Sequence, residues 1–124
     1  MPKKINPIQQ KNPTYYDQVF EVTRQIPYGR ISTYGAIADY LALGSARMVG
    51  WALNKSFYGA QVPAHRVVNR IGELSGRVHF PTPTMMEEML EQEGVAVRNY
   101  KVVDFKELLW LPSEHLSQID PSRD

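Results

Sequence analysis

A chain of 124 residues, 43% hydrophobic and 22% charged, is long enough for one domain around one hydrophobic core. It contains no cysteine, which excludes disulfides, thiolate catalysis, iron–sulfur clusters and cysteine zinc sites; its three histidines, His65, His79 and His115, show no metal-ligand spacing, so neither metal nor cofactor is expected. The net charge of +1 is unevenly spread: residues 1–77 hold ten Lys and Arg against four Asp and Glu, residues 78–124 four against nine, the pattern of a basic face for a polyanion beside an acidic remainder.

The N-terminus, MPKKINPIQQKNP, has no apolar signal core, and no apolar run reaches the length of a membrane span. A cytoplasmic protein, or a nuclear one where the source cell has a nucleus, without a membrane partner is expected. Residues 1–12 are polar and read as a flexible segment. Asn12-Pro13 is a helix start, Asn as cap and Pro in the first turn, and Tyr16, Val19, Phe20, Thr23 and Ile26 follow at helical spacing. Pro27-Tyr28-Gly29 ends that helix, and Arg30-Ile31-Ser32 is an extended link. Ser32 or Thr33 caps a second helix with Tyr34, Ile37, Ala38 and Leu41 on its buried stripe and Gly44 at its close. Ser45 caps a third, over roughly 46–55. Two short helices across a tight glycine turn are the pattern of a helix-turn-helix.

The third helix directs Met48, Val49, Ala52 and Leu53 to the core and leaves Ala46, Arg47, Gly50 and Asn54 on a nearly bare face. A mid-helix glycine costs about 1 kcal/mol against alanine. Either Gly50 packs tightly on a neighbouring helix, or the face enters a narrow space such as the minor groove of B-DNA, about 6 Å wide. Val67-Val68 reads as a strand, Asn69–Gly72 as a turn and Glu73-Leu74 as the return strand, a hairpin wing following the helix pair. The loop SGRVHFPTP carries Arg77; Pro83 or Thr84 opens a helix through Glu93 with Met85, Met86, Met89 and Leu90 inward, closed by Gly94. Short extended pieces and a last helical turn bring Leu108, Leu109 and Trp110 onto the core, and 112–124 reads as a flexible tail. The expected fold is mainly α with a small β-hairpin, a winged helix-turn-helix-like DNA-binding domain over residues 13–111.

At the centre of the chain stands VPAHRVV, residues 62–68. Histidine is the usual general base and arginine a binder of phosphate or carboxylate, yet Ala64 between Pro63 and His65 has only a methyl group.

The segments IPYGRISTYGAIA, GSARMVGWALN, VPAHRVVNRIGELSG and EEMLEQEGV together resemble, in order and spacing, the C-terminal domain of O6-alkylguanine-DNA alkyltransferases, over roughly residues 14–97. That family's central motif is Pro-Cys-His-Arg-Val, and here the cysteine position is Ala64. With no separate N-terminal domain in this chain, the similarity is to the alkyltransferase-like proteins, in which the cysteine is replaced. The resemblance implies several roles. His65 and Glu93 match the relay that deprotonates the cysteine, left here without the thiol it served. Arg47 matches the arginine finger that fills the gap of an extruded nucleotide, and Tyr34 the tyrosine that favours its rotation, with Ala46 and Gly50 on the same DNA-binding face. Tyr34, Val62, Pro63, Ala64, Ser75 and Arg77 would bound the lesion pocket, Arg77 over the base. Asn54 lies about two residues from the family's hinge asparagine, and Trp51 stands where the family has a small residue.

The implied function is a sensor, not an enzyme. It binds O6-alkylguanine in duplex DNA through the minor groove, flips the base without removing the alkyl group, and flags it for nucleotide excision repair proteins, acting as a monomer. Other readings stay open: transfer to another acceptor, an engineered replacement of cysteine, or a winged-helix transcription regulator. For single residues, His65 and Glu93 can be purely structural and Arg77 can pair with an acidic neighbour.

Overall fold

The computed structural model describes residues 14–58 and 61–116. The Asn12-Pro13 helix start, the flexible segment 1–12 and the tail beyond 116 lie outside them. Helix α1 spans Thr14–Gln25. Its expected stripe, Tyr16, Val19, Phe20, Thr23 and Ile26, is buried throughout, and the Thr23 hydroxyl donates to the Val19 carbonyl at 2.7 Å. Gly29, at φ +83°, turns the chain in a conformation that L side chains rarely adopt.

Strand β1, Ser32–Thr33, leads directly into helix α2, Tyr34–Tyr40. Thr33 is its cap, the hydroxyl accepting the Ala36 amide at 3.0 Å. The helix ends earlier than expected. Ala42, at φ +58°, takes the left-handed position, not Gly44, and the Leu43 amide bonds back to the Ala38 carbonyl at 2.9 Å. Helix α3, Ala46–Asn54, follows, with Val49, Ala52 and Leu53 buried. Ser45 precedes it without a side-chain capping bond. Three-residue and five-residue 3₁₀ turns at Ala64–Arg66 and Ser75–His79 flank strand β2, Val67–Val68. Helix α4 runs Met85–Gln92, burying Met86 and Leu90, and Gly94 at φ +85° closes it.

The expected hairpin of Val67-Val68 with Glu73-Leu74 is not the pairing observed. β2 lies parallel to β1, Ser32 opposite Val67 and Thr33 opposite Val68. The turn itself forms: the Asn69 carboxamide oxygen accepts the Ile71 and Glu73 amides, and Gly72 sits at φ +89°. But Glu73 bridges to Lys101, and the Leu74 amide donates to the Tyr100 carbonyl at 2.8 Å. The reason lies in burial. Val67 and Val68 have no exposed surface and need cover on both faces, which an edge hairpin cannot provide. The small antiparallel hairpin is instead strand β3, Val97–Arg98, with strand β4, Lys101–Val102, joined by Asn99-Tyr100, both at positive φ as a two-residue hairpin turn requires.

Successive strand residues point to opposite sides. Val67 joins a core made by α1, α2, α3 and Trp110; Val68 joins a second core with Ile31, Leu74, Met86, Leu90, Val95 and Val102. The β1–β2 pair is thus a wall between two cores. Helix α5, Phe105–Leu108, returns the chain to this wall, where the Ile31 amide donates to the Leu108 carbonyl and the Trp110 amide to the Ile31 carbonyl. Residues 112–116, expected in a flexible tail, form helix α6, Pro112–His115, with Pro112 buried and His115 stacked on Trp110 at 5.2 Å. No helix among the described residues is long and apolar enough to cross a membrane.

Candidate nucleic-acid interface and buried relay

Ala64 opens the 3₁₀ turn after Pro63 and is buried with Val67 and Trp110 in the first core. Val62 and Tyr34 pack against that same core. One residue on, the His65 Nε2 lies 2.6 Å from Glu93 Oε2, both side chains more than nine-tenths buried. Glu93, at the C-terminal end of α4, collects two further partners. The Arg66 guanidinium approaches both carboxylate oxygens at 2.8–3.1 Å, and the Gly29 amide donates to Oε1 at 2.8 Å. Arg66 Nη1 also donates to the Ile26 carbonyl at 2.9 Å, tying the end of α1 into the cluster.

These contacts set the charges. Burial raises the Glu93 carboxyl, but hydrogen bonds from Arg66, from Gly29 and from His65 outweigh it and hold the group at about 2. Burial pushes the His65 imidazole below its ordinary value, against the pull of Glu93. The consistent state is an ionised Glu93 accepting from a neutral His65 through Nε2–H. Nδ1 is then a buried acceptor, and it has no partner among the described residues. Carboxylate, imidazole and free acceptor nitrogen form the arrangement of a general base. Its neighbour in the chain is the methyl group of Ala64, which has no proton to give.

The DNA-facing residues expected from the sequence come together. Tyr34, Ala46, Arg47 and Gly50 line one open, mainly apolar groove of about 340 Å³, joined there by Trp51 and Asn54. Arg47 is exposed and has no bond to any described residue. A methyl group built on Gly50 would meet no atom within 4 Å. Tight helix packing therefore does not explain this glycine; its bare surface faces open space.

Tyr34 links the groove to the turn that follows. Burial raises its phenol, partly offset by a hydrogen bond with Ser75. A methyl group built on Gly76 would lie 2.6 Å from the Tyr34 hydroxyl, so only glycine leaves that ring its place. Arg77 shares this turn, its Nη1 donating to the Leu74 carbonyl at 3.1 Å and its guanidinium stacked over the Tyr100 ring at 4.0 Å. The partner of Arg77 in this structure is thus an aromatic ring of the chain itself, not an acidic neighbour.

Three participants have roles set by tertiary contacts. Arg66 is an anion binder by its chemistry, and its anion is Glu93, 27 residues away. Gly29 stops a helix and also gives its amide to Glu93. Trp51, which stands where the family has a small residue, is 51% exposed and lines the groove; its spacing of four residues from Arg47 is the available signal. Among the described residues no group of three His, Cys, Asp or Glu side chains could hold a metal ion.

The family model for the DNA-binding domain of 6-O-methylguanine DNA methyltransferase matches residues 14–95. Alkyltransferase-like protein 1 of Schizosaccharomyces pombe is 36% identical over 103 residues, covering 79% of this chain and 95% of that protein. A DNA base-flipping protein of Vibrio parahaemolyticus is 37% identical over 98 residues, covering 77% and 94%. Among solved structures, S. pombe Atl1 in complex with damaged DNA containing O6-carboxymethylguanine is similar with a TM-score of 0.68 at 33% identity, over 80% of this chain and 96% of that one.

Proposed function

This chain belongs to the family of 6-O-methylguanine DNA methyltransferase DNA-binding domains, and from that premise we propose that it is a non-enzymatic sensor of O6-alkylguanine. In this reading it acts as a cytoplasmic monomer on duplex DNA. It approaches through the minor groove and rotates the modified nucleotide into a pocket bounded by Tyr34, Val62, Pro63, Ala64, Ser75 and Arg77. It leaves the alkyl group in place and flags the site for nucleotide excision repair.

The observation that carries this reading is the pairing of an intact His65–Glu93 relay with a methyl group at Ala64, in a chain that has no cysteine at all. A methyl side chain cannot accept an alkyl group, so the site is left with its shape and without its nucleophile. Binding is then reversible. Ala46 and Gly50 keep the surface beside Arg47 low, which supports approach to a narrow groove, with Trp51 as the one bulky side chain of α3 lining it. Major-groove reading needs long polar side chains on the helix, and this face supplies mainly Arg47 and Asn54. Flipping costs a few kcal/mol and is cheapest for a poorly paired base. An O6-alkylated guanine has lost its N1 proton and pairs badly, which favours the lesion before any pocket contact forms. The link to excision repair follows from the resemblance to the alkyltransferase-like proteins.

The test is anisotropy titration of labelled duplexes, O6-methylguanine against guanine in one sequence, with intact-mass spectrometry of the protein afterwards. The expected result is tighter binding to the lesion, no mass increase, and loss of the preference in Arg47→Ala and Tyr34→Ala. Equal affinity for both duplexes would defeat the sensor reading. A 14 Da mass gain, or release of methanol, would establish catalysis instead.

A further inference from the structure

We propose that the groove beside Arg47 seats one strand of the duplex with its deoxyriboses against the indole of Trp51, a contact that holds DNA of any sequence, damaged or not. This rests on the DNA-binding reading above and assigns a role to a residue that reading does not use.

Trp51 is 51% exposed, although it stands in the middle of α3 between the buried Val49 and Ala52. A single exposed aromatic is unremarkable on a protein surface. Here the ring lines a concave, mainly apolar groove rather than a convex face. Its position is four residues after Arg47, one helical turn, so the two side chains share a strip of helix surface. Helical side chains lean toward the N-terminus, which carries the indole back over the turn that holds Arg47. Between them Gly50 has no side chain, and a methyl group there would meet nothing within 4 Å. The floor of the groove is thus kept clear while one wall is a flat aromatic.

The charge of the groove selects its occupant. Arg47 is the one cation among the lining residues, and no carboxylate accompanies it. An anionic ligand with an apolar face fits these walls, and a nucleic-acid strand has both, phosphate for the arginine and the sugar's carbon–hydrogen face for the indole. Every nucleotide offers the same sugar. Contact with Trp51 therefore strengthens binding without discriminating between guanine and its alkylated form, unlike contacts with the flipped base.

The experiment compares parent, Trp51→Ala, Trp51→Phe and Arg47→Ala by anisotropy with the O6-methylguanine and guanine duplexes. Covering about half of the indole surface still exposed corresponds to about a tenfold change in Kd. Trp51→Ala is expected to weaken both complexes by about that factor with the lesion preference unchanged, Trp51→Phe to recover most of it, and Arg47→Ala to weaken both complexes and reduce the preference as well. Acrylamide quenching of the parent gives an independent readout, because the second tryptophan, Trp110, is only 4% exposed and the quenchable emission belongs to Trp51. Saturating undamaged duplex is expected to shield it. The proposal is overturned if Trp51→Ala binds both duplexes like the parent, or if it loses affinity for the lesion duplex alone. It is also overturned if quenching already falls with protein concentration in the absence of DNA, which would mean a second copy of the chain occupies the groove. A parent that binds both duplexes equally, with Trp51 shielded in each, would defeat the lesion reading and leave this contact standing.

Discussion

Replacing Glu93 by Gln removes one charge from the cluster that ties α1, the 64–66 turn and α4 together. In the parent the carboxylate is 6% exposed and accepts from Arg66, His65 and the Gly29 amide. Its pKa of about 2 against an ordinary 4.5 corresponds to about 3 kcal/mol of stability, at roughly 1.4 kcal/mol per unit. Glutamine can still accept from Gly29 but leaves the Arg66 guanidinium, itself only 15% exposed, without a counter-charge. Breaking one partner of a buried pair costs about 3–5 kcal/mol, consistent with the first figure.

In urea denaturation at pH 7, Glu93→Gln should lower the midpoint by about 1.5 M, for an m-value of ~2 kcal/mol/M. The sign with pH follows from the depressed pKa: the stabilisation is complete above about 4.5 and is lost as pH falls toward 2. The gap between parent and variant should therefore stay constant from pH 7 to 5 and shrink steadily below 4.5. Combining the change with Arg66→Met should cost less than the two single losses added, because the stranded guanidinium is then gone. A variant within 1 kcal/mol of the parent at pH 7, or a gap insensitive to acid, would refute the claim that this cluster holds the fold. A relay with no thiol to serve thus still has a structural role.

Gly76→Ala places a methyl group 2.6 Å from the Tyr34 hydroxyl. The ring end can swing aside, so stability should change by less than about 1 kcal/mol, while affinity for the lesion duplex falls with Tyr34 displaced; unaltered affinity would show that Tyr34 needs no such seat. Thr33→Ala removes the acceptor of the Ala36 amide and should cost about 1 kcal/mol, seen as a melting midpoint lower by about 4 °C; an unchanged midpoint would rule out the cap. Gly72→Ala meets both a φ of +89° and the Phe105 ring at 3.0 Å, so a loss of about 1–3 kcal/mol in urea is expected, and a neutral result would contradict the turn geometry.

Local order was readable residue by residue. The stripe of α1, the Thr33 cap, the grouping of Ala46, Arg47 and Gly50 on one face of α3 and the stops at Gly29 and Gly94 all depend on neighbours within one helical turn, and all appear where the spacing and the turn residues put them. Local pattern does not decide between two nearly equal choices. Gly44 suits the end of α2, but Ala42 takes the left-handed position because Leu43 bonds back to Ala38 and packs on the first core. Nor does it decide where a partner lies far along the chain. A pair of valines followed by a turn fits a hairpin equally well as a buried parallel strand; the burial of both faces decided for Ser32–Thr33, 35 residues earlier. The candidate site divides the same way. Arg47 and Gly50 declare themselves by helical spacing, and Ala64 by its place before His65. That Arg66 and Gly29 converge on Glu93, that Trp51 walls the groove, and that Arg77 rests on Tyr100 are properties of the assembled structure. Periodicity and capping report energies exchanged within a turn or two of chain, whereas a buried ion cluster or a strand pairing depends on which apolar faces exclude water together, and only the assembled structure settles that.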